Sequence, residues 1–171
     1  FKSLKLETSI DIRTYAMIHL AYSLGLRPIE ISRITLDHIS FTRGELSIRE
    51  RKTRNPTILP LPKKTVRAIA AYVLKARPKT VLRNLFLTDS RPHLPLGMGN
   101  LIGSIRKAMK KAGLSSSAYW LRHPYAQNLL GMGRSIYEIK EMMGHQNIQS
   151  TQRYLHIDTE QMRKVLFNET L

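Results

Sequence analysis

The chain contains no cysteine, and only 12 of its 171 residues are Asp or Glu. The first absence excludes a disulfide framework, thiolate chemistry and any cysteine-bound zinc site. The second leaves no clustered carboxylates of the kind that hold a catalytic divalent cation. Long apolar runs are missing too: none reaches the roughly 18 residues that a transmembrane helix needs. No signal peptide is legible at the N-terminus, so an intracellular, cytoplasmic protein is the expectation. The chain opens on Phe1 rather than methionine, as expected of a segment of a longer protein.

Positive charge dominates what is present. Lys and Arg number 28, for a formal net charge of +16 and a pI of about 10.5. So large a cationic excess in a chain of single-domain length points to a polyanionic partner, first of all nucleic acid. A membrane surface fits less well, because the cations are spread along the chain rather than gathered on one amphipathic helix. The bland alternative is a solvated basic surface.

The helical spacing of Ala16, Met17, Leu20, Ala21 and Leu24 predicts a first helix over about 8–24. Thr8 and Asp11 give it a capping box, and Gly25 is its natural stop. Pro28 suits the first position of a second helix, 28–34, which puts Arg27 at the N-cap and turns Ile31 and Ile34 inward. Backbone N–H groups at that helix start are expected to suit an anion. Residues 35–61 then change character. Segments 39–41, 46–48 and 57–59 read as strands, the first two joined by a hairpin turn at 42–45. A strongly basic turn from Arg49 to Pro56 leads into the third. Further helices are predicted at about 63–76, 97–112, 121–130, 134–143, 148–155 and 159–167. Val66, Ile69, Ala70, Val73 and Leu74 are the expected inward face of the first of these. Leu101, Ile102, Ile105, Ala108 and Met109 are that of the second. The loop between them, 77–96, holds a short apolar piece, Leu85-Phe86-Leu87. The fold class is therefore α+β, mainly helical, with a small three-stranded antiparallel sheet.

Four features occur in order along the chain. They are Gly25-Leu26-Arg27-Pro28-Ile29-Glu30-Ile31, then Lys52 ahead of Ile58-Leu59-Pro60-Leu61, then Leu121-Arg122-His123, then Gly144-His145 with Tyr154 nine residues after the histidine. Each is weak alone. Together they resemble the catalytic domain of the tyrosine recombinases, also called the phage integrase family, over about residues 8–158. The resemblance implies the tyrosine recombinase catalytic-domain fold over 1–171, without the upstream core-binding domain that completes the family's clamp around DNA. It also implies site-specific recombination of double-stranded DNA, with no cofactor and no metal.

The chemistry accounts for the residue types. A phenol with an ordinary pKa of about 10 is a poor nucleophile, and a phosphodiester carries a charge that repels it. Cations on the non-bridging oxygens remove that repulsion and stabilise the transition state. Arginine suits the task because its fork of donors matches phosphate oxygens and stays charged. The resemblance implies that Arg27 and Arg122 bind the scissile phosphate and that His145 hydrogen-bonds one of its oxygens. Lys52 would protonate the leaving 5′ oxygen. Tyr154 would form a 3′-phosphotyrosyl intermediate, which keeps the bond energy for rejoining. Arg43, Arg51 and Arg54, in and beside the two turns of the sheet, are candidates for binding DNA.

One departure stands out. The family carries His-x-x-Arg where this chain reads Tyr119-Trp120-Leu121-Arg122. Positions three apart share a face of a helix, so Tyr119 is expected to face the phosphate with Arg122. A phenol can donate a hydrogen bond there, but it does not change charge near neutrality as an imidazole does. Blander readings stand beside the sharp ones. Arg27 also suits a pair with Glu30, His145 a cap, and Tyr154 a core aromatic. Trp120, His123 and the Met142-Met143 pair are expected to be packing residues. In the tail, Asp158 can cap a short helix with Met162, Val165, Leu166 and Phe167 on one side. That helix is expected to dock on its own domain or, as in the recombinases, on a neighbouring protomer, giving a homo-oligomer on DNA. Two alternatives to recombination remain: a related DNA-nicking topoisomerase or hairpin resolvase, and a non-catalytic DNA-binding module.

Overall fold

The computed structural model describes residues 4–48, 57–114 and 117–144, in two compact units that divide after Tyr125. At the centre of the first unit lies α1 (Ser9–Leu24). The Thr8 hydroxyl accepts the Asp11 N–H at 3.1 Å and the Asp11 carboxylate accepts the Thr8 N–H at 3.0 Å, so the expected capping box is formed. Gly25, with φ +59°, ends the helix in the left-handed region. Ala16, Met17, Leu20 and Ala21 are fully buried, and so is Ile18 on another side. Burial nearly all round is what a central helix requires. Helices α2 (Pro28–Ser32), α3 (Lys63–Lys75) and α4 (Met98–Lys111) pack against it. α2 is shorter than expected, yet Ile31 and Ile34 both reach the core.

The inward face of α4 includes Leu101, Ile105 and Met109, as its spacing predicts. That of α3 does not follow the expected set. Thr65, Ala68, Ile69 and Tyr72 point inward, Val66 and Val73 are only partly buried, and Leu74 is 83% exposed. The helix is turned by about 100°, one residue's worth of rotation. Tyr72 supplies the reason. Its ring stacks on Phe86 with centroids 5.4 Å apart, and its hydroxyl accepts the Leu87 N–H at 3.3 Å.

Leu85, Phe86 and Leu87 are fully buried, so this part of the 77–96 loop belongs to the core. Its backbone polar groups have partners, as burial demands. Single bridges pair Thr35 with Asn84 and Leu87 with Pro95. Arg77 donates through Nη2 to the carbonyls of Leu82 (2.6 Å) and Asn84 (2.8 Å), and Arg13 donates to that of Leu87 (2.5 Å).

The sheet has the expected three antiparallel strands in order β1 (Ile39–Ser40), β2 (Glu45–Ile48), β3 (Thr57–Pro60). Ile39 pairs with Leu46, and Leu46 with Leu59. These residues and Ile48 are buried, while Ile58 on the opposite face is 65% exposed. Alternation of this kind is how a sheet with one solvated face reads. Pro60 closes the edge strand, where no donor is missed.

Helix α5 (Arg122–Gly131) begins in the first unit and ends in the second. In the second, α6 (Ile136–Met143) starts at a Ser135–Glu138 capping box and stops at Gly144, φ +64°. Met143 is fully buried, but Met142 is 37% exposed, so only one of the methionine pair is core. The helices expected at 148–155 and 159–167, and the basic turn 49–56, lie outside the described residues. Among the described residues no helix is long and apolar enough to cross a membrane. Among them, too, no group of three or more His, Asp or Glu is placed to hold a metal ion.

Candidate active site

Arg27 stands at the N-cap of α2 with extended backbone, φ −71° and ψ 149°. Pro28 imposes this, because its ring disfavours the helical region for the residue before it. Glu30, in the first turn, returns both carboxylate oxygens to Arg27. Oε2 accepts the Arg27 backbone N–H at 2.7 Å, and Oε1 accepts from Nη1 at 3.1 Å. The Glu30 side chain is 4% exposed and that of Arg27 19%. The Arg27 backbone N–H is therefore taken by Glu30. A guanidinium carries five N–H donors, so pairing with Glu30 and binding a phosphate are not exclusive.

Arg122 is the first residue of α5 and is 4% exposed. Pro124 follows in the first turn, where a helix has no use for a backbone donor. One turn further along α5, Tyr125 lies against Gly25. A Cβ on Gly25 would fall 2.4 Å from Tyr125 Cδ1, so no other residue fits without displacing the ring. Glycine is thus required twice at this position, for its positive φ and for this approach. Gly25 sits just before Arg27 and Tyr125 just after Arg122. The contact brings the two arginine-bearing segments together within the first unit.

Tyr119 differs from expectation. It stands in a turn ahead of α5, with its carbonyl accepting the Arg122 N–H at 3.3 Å. The two side chains differ in exposure: Tyr119 is 53% exposed and Arg122 4%. The three-apart rule holds inside a helix, and this helix begins only at Arg122. Trp120 is not a packing residue either. It is 55% exposed, with its ring centroid 5.8 Å from that of His123 and tilted by 39°.

Arg43 lies on the hairpin turn, 73% exposed at the side chain, and pairs with Glu45 at 2.9 Å. Lys52, Arg51, Arg54, His145 and Tyr154 fall outside the described residues. One contributor was read in part and one went unread in the sequence. The Arg27–Glu30 pair was expected, but not its second bond to the backbone. Tyr125 had no signal beyond being an aromatic on α5.

The fold is that of solved site-specific recombinases. It superposes on the XerH site-specific recombinase bound to its palindromic difH substrate with a TM-score of 0.78, at 17% identity, covering 98% of this chain and 50% of that one. The model of the phage integrase family matches residues 3–161. The chain belongs to the phage integrase family. It is 35% identical to the integrase/recombinase-type protein y4rA of Sinorhizobium fredii, over 94% of this chain and 40% of that protein. Against the tyrosine recombinase XerD of Corynebacterium glutamicum identity is 29%, over 92% of this chain and 53% of that protein. The chain thus spans about half the length of these curated relatives.

Proposed function

We propose that this chain is the catalytic domain of a tyrosine-type site-specific recombinase that cleaves and rejoins double-stranded DNA. The observation that carries the reading is the pair of arginine segments locked together by Gly25 and Tyr125, with Arg27 oriented by Glu30. Two arginines on neighbouring segments suit one phosphate, whose charge grows in the transition state. Family membership and the naming of XerD as a tyrosine recombinase support the assignment. The XerH structure, described as a post-cleavage complex with its DNA substrate, supports the choice of DNA.

In this reading Tyr154 Oη attacks the phosphorus of the phosphate held by Arg27 and Arg122, giving its proton to solvent water as the P–O bond forms. The bond to the 5′ oxygen breaks, and Lys52 gives that oxygen a proton, leaving a free 5′ hydroxyl. His145 donates to a non-bridging oxygen. Tyr119, half-exposed ahead of Arg122, takes the place of the family histidine. Attack by a 5′ hydroxyl from a second duplex reverses each step and exchanges strands. Arg43, Arg51 and Arg54 bind DNA beside the break. The tail, 157–171, packs on a second copy, and the enzyme works on intracellular DNA.

A nicked suicide substrate tests this directly, because the broken strand escapes and traps the covalent state. On a denaturing gel the protein should shift to a DNA-linked band that disappears in Tyr154→Phe. Arg27→Ala and Arg122→Ala should each lose cleavage by orders of magnitude while still binding DNA. Binding without any linked band would make the chain a DNA-binding module instead.

A further inference from the structure

The turn that delivers Arg122 carries, beside Tyr119, a second exposed aromatic ring that the phosphate chemistry does not use. Tyr119 and Trp120 are 53% and 55% exposed, side by side, and Trp120 is the one tryptophan of the 171 residues. Their backbone is well tied. Trp120 N–H donates to Ser117 Oγ at 3.3 Å, Leu121 N–H to the Ser117 carbonyl at 3.2 Å and His123 N–H to the Trp120 carbonyl at 2.9 Å. His123 leans on the Trp120 ring from one side. A single exposed apolar residue needs no explanation. Two adjacent large rings on an ordered turn offer rigid contact area at little entropic cost.

We propose that Trp120 and Tyr119 form a stacking platform for an unpaired nucleobase of the strand whose phosphate Arg122 binds. The inference rests on the recombinase reading, since exchange of strands must unpair the bases beside the break. Reach favours it. Trp120 is two residues from Arg122, within about 7 Å along the backbone, and successive nucleotides rise about 3.4 Å along the axis of a stacked duplex. A base next to the bound phosphate therefore meets the rings before any more distant one does. Chemistry favours it as well, because every base has a π-face that an exposed indole accepts without sequence preference. Capturing that base holds the strand end unpaired after cleavage and lowers the cost of its transfer to the partner duplex.

The test uses duplexes carrying a short gap opposite either normal or abasic nucleotides, with tryptophan emission and covalent product read from the same samples. Base-bearing gaps should quench the Trp120 emission and abasic gaps should not, and Trp120→Phe should remove the signal while keeping the affinity. Trp120→Ala should bind the base-bearing gap about 5- to 150-fold more weakly, the range expected for one stacked base, and the abasic gap unchanged. Equal quenching by both gaps would overturn the proposal, since the rings would then sense only backbone. Quenching that follows protein concentration without DNA would also overturn it, by showing that a second copy covers the rings. Base-dependent quenching without a Tyr154-dependent covalent product would uphold the platform and sink the recombinase reading instead.

Discussion

Glu30 holds Arg27 at two points with one carboxylate, the backbone N–H at 2.7 Å and the guanidinium at 3.1 Å. The effect is to fix both where Arg27 begins and where its charge ends. Because the Glu30 side chain is 4% exposed, water competes little for either bond. A long side chain that would otherwise wander is held in one place. Preorganisation of this kind is what charge stabilisation in a transition state depends on.

Glu30→Ala should slow single-turnover cleavage by about 10- to 150-fold, the worth of one charge-assisted hydrogen bond of about 1.5–3 kcal/mol. DNA affinity, measured by gel shift, should change far less, because Arg27 keeps its charge. Wild-type cleavage in this variant would show that Arg27 does not need its partner.

Gly25→Ala should destabilise the fold by about 2–4 kcal/mol. About 1–2 of this comes from the left-handed backbone and the rest from the clash with Tyr125. Chemical melts of Gly25→Ala, Tyr125→Leu and the double variant separate the two. Tyr125→Leu should recover the steric part and leave the backbone part, so the double variant should be less destabilised than the sum of the singles. Strict additivity would mean that the ring moves aside freely.

His19 gives the fold a pH dependence near neutrality. Burial in the core, reinforced by the charge of Lys64, holds its imidazole below the ordinary 6.5. The unfolded chain therefore takes up a proton near pH 6.5 that the folded chain resists. Stability should be level above about pH 7 and fall as pH drops below the unfolded value. Thermal melts between about pH 8 and 5.5 should show this decline, and His19→Gln should flatten it. A wild-type curve already flat over that range would remove His19 as the cause.

Much of this architecture is legible in the sequence, for reasons that differ by element. α1 and α4 carry clear apolar repeats, and the strands are marked off by Gly44 and Pro60. α3 misleads because its apolar residues spread over more than one face, and the choice between faces is made by Tyr72 meeting Phe86 and Leu87. Within the site, Arg27 and Arg122 are readable because motif and helix start coincide. The Gly25–Tyr125 contact is not, because it joins residues far apart in the chain and leaves no periodic trace. Helix spacing does not apply to Tyr119, because α5 begins only at Arg122.

The central claim is that Tyr154 joins covalently to DNA. The most direct measurement digests the trapped protein–DNA adduct and locates the modified residue by peptide mass spectrometry. The account predicts a 3′-phosphotyrosyl linkage on the peptide containing Tyr154, with a free 5′ hydroxyl on the released strand. An adduct on any other residue, or one that persists in Tyr154→Phe, would contradict it.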